Sequence, residues 1–333
     1  MKKFTYQDIA KSTGISIATI SRVFNNPDIV RSDTRNRVVE AVSAMGLDPA
    51  SYGLLPDPAD RLIIFNVPTL RNQFYSPIIE SARKVAESKR YILLINEYSL
   101  DSDAMMDSFM LLLSRTRTRG VIIANAMTKD RIERISERVP VVTCCEAVPD
   151  SSVPFVSVDD EAAAYSAVKY IVSLGHRRIA MINGPHSFKY ARSRLQGYRR
   201  VLEEEGIEYR PEYIAEVGSD MDVEVAGAAV MHMLNFSQPP DSFFCISDML
   251  ASAAIHAAIK RGYRVPEDIS VVGFDNISIS EMMNPSITTI KQPVAQLGAL
   301  SAEMVIKLIE NHDEPLRSTY LGTELVIRES TRK

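Results

Sequence analysis

The first residues whose types and spacing could do chemistry lie between Thr5 and Asn25. In TYQDIAKSTGISIATISRVFN, Ile9 and Ala10 fall on the inner side of one short helix. Ile20 and Val23 do the same on a second, and Gly14-Ile15-Ser16 forms the turn that fixes their crossing angle. That leaves Ile17, Ala18, Ser21 and Arg22 on an outer face, where a recognition helix meets base edges. Arg22 is the one long donor there and can grip guanine O6 and N7. Neither Ile17 nor Ala18 can donate a hydrogen bond, so they offer only apolar contact, as to thymine methyls.

The elements that must hold these residues follow from local signals. Thr5 can cap a helix over Tyr6–Ser12 with Asp8 as its acidic partner. Gly14 suits the left-handed turn after it. Ser16 can cap Ile17–Phe24, which Asn25, Asn26 and Pro27 stop. Ser32 can cap a third helix with Val38, Val39, Val42 and Met45 on one side, ending at Gly46. Residues 48–61 hold three prolines and a glycine and read as a linker. From Leu62 the texture becomes short apolar runs: Leu62–Val67, Ile92–Asn96, Val121–Ala124, Val141–Cys145, Ile179–Ile182, Ile214–Val217, Phe243–Ile246 and Val271–Phe274. Stretches of helical period separate most of them, among them Ile78–Ser88, Glu161–Leu174, Leu195–Glu205 and Leu250–Arg261. Buried strands alternating with helices mean parallel sheets covered on both faces. The expected fold is therefore an all-α head (1–47), a linker (48–61) and an α/β body (62–333) of two doubly wound parallel-sheet subdomains. Crossovers are expected near 154–160 and 288–293.

Charge fits that division. Residues 1–47 carry seven lysines and arginines against four acids, a net +3, which leaves −7 on the rest of a chain whose total is −4. A mildly basic head permits a nucleic-acid partner. The three cysteines (Cys144, Cys145, Cys245) show no CxxC spacing, so neither a disulfide framework nor a metal site is indicated. Gln7, Asp8 and Lys11 interrupt any signal-peptide core, and no apolar run approaches the roughly 20 residues of a membrane span. A soluble, cytoplasmic protein is expected. There is no GxSxG, HExxH or Walker loop, and the five histidines form no ligand spacing. The expectation is a protein that is not an enzyme and has no cofactor.

The head closely resembles the DNA-binding head of the LacI/GalR family of bacterial transcriptional regulators. Asp8-Ile9-Ala10, Gly14-Ile15-Ser16, Thr19-Ile20-Ser21-Arg22-Val23-Phe24-Asn25 and Arg31-Ser32-Asp33-Thr34-Arg35 carry the likeness. It implies a homodimer on a palindromic double-stranded operator, with Ile17 and Ala18 at the main specificity positions. Thr5, Tyr6, Ser16, Thr19, Ser21, Asn25 and Thr34 are hydroxyl or amide donors suited to phosphate oxygens. The linker departs from the family's Pro-Asn-x-x-Ala-Arg-x-Leu. Pro49 matches, but Ala50, Gly53, Leu54 and Pro56 replace its Asn, Ala, Arg and Leu. Gly53 disfavours helix, Pro56 pushes Leu55 out of the helical region, and Asp48, Asp57 and Asp60 place negative charge beside the duplex. A poor or absent hinge helix is expected, with Leu54 or Leu55 as the candidate minor-groove wedge.

The body resembles the family's effector domain, itself akin to periplasmic sugar-binding proteins of type I. The matching stretches are Val156–Asp160, Leu174–Ile179, Asn183-Gly-Pro185, Arg194–Tyr198, Ser247-Asp248, Val265–Asp275 and Thr288–Pro293. The likeness implies a small effector between the subdomains, gripped by Arg194 and Asp275, with Asp159 and Ser247 as weaker candidates. A guanidinium plus a carboxylate suits vicinal hydroxyls, hence a sugar. Phe74, Tyr75, Phe188 and Tyr190 are candidates for an aromatic floor, and Asn72 and Gln73 for polar neighbours. No leucine heptad follows Ser330, so a dimer rather than a tetramer is expected. The rival readings are a periplasmic-type binding or receptor protein without DNA function and a sugar-modifying enzyme of doubly wound fold. A regulator that senses a nucleobase or a phosphoprotein is a third.

Overall fold

The structure is a computed structural model that describes residues 5–26, 29–54, 61–310 and 316–332. Three helices form the head: α1 (Tyr6–Thr13), α2 (Ile17–Asn25) and α3 (Ser32–Ala44). Asp8 accepts from the Thr5 N–H at 2.9 Å and from the Thr5 hydroxyl at 2.8 Å, which ties down the start of α1. Gly14 ends α1 at φ +71°. The Ser16 hydroxyl accepts from the Thr19 N–H at 3.2 Å at the start of α2. The third helix starts at Ser32 itself, with Arg31 rather than Ser32 at the cap position. Ile9, Ile20, Val23, Val38 and Val42 are fully buried and make one small core. Pro27, Leu55, Pro56, Asp57 and Asp60 lie outside the described residues.

The body has two six-stranded sheets. The first has β1 (Leu62–Val67), β2 (Ile92–Glu97), β3 (Gly120–Ile123), β4 (Val141–Cys144), β5 (Phe155–Val158) and β11 (Thr319–Leu321), in the order β11-β5-β4-β3-β1-β2. The second has β6 (Ile179–Asn183), β7 (Ile214–Glu216), β8 (Ser242–Cys245), β9 (Ser270–Asp275), β10 (Thr288–Lys291) and β12 (Glu324–Val326), in the order β12-β10-β9-β8-β6-β7. Every pair is parallel except β10 with β12.

The period-2 rule explains why the strands are apolar throughout. Ile63, Phe65 and Val67 enter a core beneath α4 (Tyr75–Ser88) and α12 (Val294–Ile309). Ile64 points the other way, toward α5 (Asp103–Arg115) and α6 (Lys129–Ser136). The second sheet is covered by α7 (Asp160–Ser173), α8 (Lys189–Glu204), α9 (Val223–Met233) and α10 (Asp248–Lys260). The short α11 (Ile279–Met282) follows β9. The chain passes between the sheets three times: after Val158, after Lys291 and after Leu321. The third passage, beyond the two expected, lets the last strands close an edge of each sheet. No helix among the described residues is long and apolar enough to cross a membrane.

Candidate functional site

The head presents its reading surface without a ligand's help. Thr5, Ser16, Ala18, Arg22 and Asn25 are exposed, and Ile17 keeps 46% of its surface in solvent. Ile20 and Val23 of the same helix are fully buried, so Ile17 is an apolar side chain left on its outer face. Arg22 has no ion pair among the described residues, so its guanidinium is free to reach a base edge. Tyr6, Thr19, Ser21 and Thr34 are half-buried, and Tyr6 packs on Phe24 with ring centroids 4.9 Å apart. The Asn25 amide donates to the Ser21 carbonyl at 2.9 Å and to its hydroxyl at 3.2 Å. That amide is held within its own helix.

The linker corrects one expectation. Pro49–Tyr52 form a single 3-10 turn, and Gly53 takes φ +65°. The Leu54 N–H then donates back to the Pro49 carbonyl at 3.1 Å. This reversal drives Leu54 into the head core, where it is 2% exposed beside Ile9, Ile20 and Val42. Leu54 is therefore a core residue here and not a presented wedge. Its physical reason is Gly53, which turns the chain back toward the nearest apolar surface. Leu55 lies outside the described residues.

The second site lies where the carboxyl ends of both sheets face each other, the usual place for a ligand in such folds. Asn72, Phe74, Tyr75, Cys145, Glu146, Asp160, Tyr190, Arg194, Met221, Asp275 and Gln292 line it. The cavity is only about 30 Å³, room for a water or two, so the cleft is closed around its own side chains. Beside it, near Gln73, Tyr75 and Asp275, a wider groove opens to solvent.

Asp160 organises the cleft. It is 2% exposed and accepts from Lys189 Nζ at 2.6 Å and from Arg194 Nε at 2.8 Å. Arg194 also donates to the Ile246 carbonyl at 2.6 Å, and its guanidinium lies 3.4 Å from the centre of the Phe274 ring. Lys189 also donates to the Ser157 hydroxyl and the Val158 carbonyl, each at 2.9 Å. Both buried cations are thus occupied within the protein. The other carboxylates are held differently. Glu146 is buried, and this pushes its pKa up to about 7; one oxygen accepts from the Lys189 N–H at 2.9 Å. The other, Oε1, has no hydrogen-bond partner among the described residues. Asp275 ends β9 at φ +106°, a strained conformation, and accepts from the Gln292 amide at 2.7 Å. Burial raises its pKa well above the usual carboxylate range, with Arg194 pulling the other way.

Of the sequence candidates, Phe74, Tyr75, Tyr190, Arg194 and Asp275 come together here, with Asn72 beside them. Three do not. Asp159 is exposed and caps α7 by accepting from the Ala162 N–H at 3.0 Å; its neighbour Asp160 is the buried one. Ser247 is 1% exposed and caps α10 by accepting from the Leu250 N–H at 3.2 Å. Both side chains serve helix starts, which their residue types favour. Phe188 faces a separate groove with Pro185 and Arg192. Glu146, Lys189 and Gln292 were not foreseen. Of these, only Gln292 stood in a recognised stretch.

A three-helix head with an exposed outer face, joined to a two-lobed body with a closed cleft, defines a helix-turn-helix regulator fused to a periplasmic-binding-protein-like domain. Comparison with known proteins agrees. Residues 5–50 match the model of the bacterial regulatory proteins of the lacI family, and residues 168–331 that of the periplasmic binding protein-like domain. The transcriptional repressor CytR of Escherichia coli (strain K12) is 33% identical over 98% of this chain and 96% of its own length. The structure of the regulator CelR in complex with cellobiose has a TM-score of 0.74 at 26% identity, covering 98% of this chain and 100% of that one. The Lac repressor dimer bound to operator and an anti-inducer has a TM-score of 0.75 at 26% identity, covering 99% of each. The chain belongs to the LacI family of DNA-binding transcriptional regulators, and its relatives are regulators rather than enzymes.

Proposed function

We propose that this protein is a cytoplasmic one-component repressor that binds a palindromic operator as a homodimer and is controlled by a sugar held in the cleft. The observation that carries the effector reading is the charge arrangement around Asp160. Lys189 and Arg194 are both held by Asp160 and by neighbouring oxygens, so among the described residues of the cleft neither is a free cation for an anionic ligand. What remains is two buried carboxyl groups with raised pKa values: Glu146, whose Oε1 has no partner among the described residues, and Asp275. Hydroxyl groups between aromatic walls (Tyr75, Tyr190) satisfy such a site, whereas the cations a phosphate would use already hold Asp160. The relatives solved with cellobiose or on an operator are consistent with this reading.

The dimer is supported by a groove between α9 and α10 lined by Val223, Met231, Met249, Ala253 and Met283. Ile259 and Met282 also lie bare, at 50% and 81% exposure. A contiguous apolar face of this kind fits a second copy of the chain. Thermal-shift screening of neutral sugars, sugar phosphates and nucleobases tests the effector class. A neutral sugar should raise the melting temperature. Stabilisation by a phosphorylated sugar alone would contradict the reading, and a nucleobase hit would favour the rival regulator. Sedimentation of Met282→Asp should give monomers where the unaltered chain gives dimers.

A further inference from the structure

The edge of the first sheet opposite the cleft is strongly basic. The loops entering β1 to β4 carry Arg61, Lys89, Arg90, Arg117, Arg119 and Arg138. Among the described residues the acids beside them are Glu137 and Glu310, the latter acting on Arg61 and Tyr91; Asp313 and Glu314, which follow in the sequence, lie outside the described residues. Part of this has a structural cause. Helices α4, α5 and α6 end at this edge, and their partial negative ends attract cations. Arg117 and Arg119 go beyond that cause, since they follow the last turn of α5. They and Arg138 line a single groove of about 510 Å³ with Pro140, Leu308 and Ile309. All three are exposed, and none has an ion pair among the described residues. Three guanidiniums share this groove without an ion pair among the described residues, and each offers a planar fork of donors shaped for phosphate oxygens.

The position of the groove says which phosphates. The Arg119 N–H donates to the Leu62 carbonyl at 2.8 Å, so the groove adjoins the first residue of the body's first strand. Leu54 is fixed in the head core, and residues 55–60 are all that joins the two. Seven steps of extended chain span at most about 24 Å. A duplex that extends beyond the head is therefore within reach of this edge. We propose that Arg117, Arg119 and Arg138 form a second DNA contact, gripping backbone phosphates of the duplex that the head has bound. This rests on the DNA-binding reading of the head and adds a body-borne, sequence-independent grip to it.

The test is anisotropy of the full-length protein on duplexes of random sequence, about 40 and about 16 base pairs long, over a salt series. Each phosphate neutralised contributes a slope of about −0.9 in log K against log salt. Arg117→Gln/Arg119→Gln/Arg138→Gln should flatten the slope on the long duplex by about 2 to 3 per protomer. It should weaken binding there on the order of a hundredfold at 0.1 M salt. The short duplex, covered by the head alone, should bind equally in both proteins. The matching triple lysine variant keeps the charge and should keep most of the slope. If the glutamine variant loses its thermal transition, Arg117→Gln/Arg138→Gln is read in its place. Unchanged slope and affinity on the long duplex would overturn the proposal and leave the groove to an acidic protein. Failure of the unaltered protein to bind either duplex would instead overturn the DNA-binding reading itself, and this proposal with it.

Discussion

Replacing Leu54 by alanine separates two incompatible roles for the residue. If it is a wedge kept for the minor groove, its loss leaves the free head intact and weakens only the specific complex. The structure instead packs it at 2% exposure among Ile9, Ile20, Val23, Val38 and Val42. Truncating a fully buried leucine costs about 2–5 kcal/mol. A unit of some 50 residues typically has a total stability of about 2.5–7.5 kcal/mol. Leu54→Ala should therefore remove half or more of the head's stability, and a loss of 3 kcal/mol is a factor of about 150 in the folding equilibrium. Hydrogen exchange reads this by segment. Amides of Ile20 and Val38 should exchange about 100-fold faster, while those of Phe65 and Val272 in the two sheets stay protected. DNA affinity should fall on every duplex alike. Leu54→Met, which preserves volume, should cost less than about 1.5 kcal/mol. Unchanged head protection with a loss confined to the operator complex would refute the reasoning and restore the wedge.

Arg22→Ala should cost about 1–3 kcal/mol of operator affinity and relax one base position, which binding to a set of single-base operator variants will show; undiminished selectivity contradicts the assignment. Glu146 and Asp248 are buried acids with pKa values raised to about 7. Both favour the native state while protonated, so their contribution is full below about pH 4 and is lost as the pH rises through about 7. The effect is on the order of 3 kcal/mol each. The urea midpoint should fall between pH 5 and pH 8, and Glu146→Gln should remove about half of that fall; an unaltered pH profile would count against it. Gly298 of α12 lies where an added methyl would overlap the Ile78 carbonyl oxygen and the Ser81 hydroxyl of α4. Gly298→Ala should cost about 1–3 kcal/mol or more in thermal unfolding, and a neutral result would mean the two helices can move apart.

The elements that carry the sites were largely legible, because their signals are local. The caps Thr5 and Ser16, the Gly14 turn and the apolar runs from Leu62 onward each sit within a few residues of what they control. The misses have physical causes of two kinds. Asp159 and Asp160 differ by one place at a helix start, and that place decides between an exposed cap and a buried anchor. Lys189 meets Asp160 across 29 residues, and its N–H meets Glu146 across 43, so no local pattern could announce either contact. The short β11 and β12 are three residues each and owe their existence to the neighbours they pair with. Leu54 shows a local signal outweighed by packing. The linker's composition speaks of an open segment, yet one left-handed glycine returns an apolar side chain to the core.

The proposed control of the head by the cleft is a coupling between two binding sites. Operator affinity should be measured by anisotropy with and without a cleft ligand identified by thermal shift, on an operator selected from random duplexes. Coupling between two such sites is typically a factor of about 5–150. A change of operator affinity in that range, abolished by Asp275→Ala, is the predicted result. A ligand that stabilises the body through Asp275 yet leaves operator affinity unchanged would contradict it.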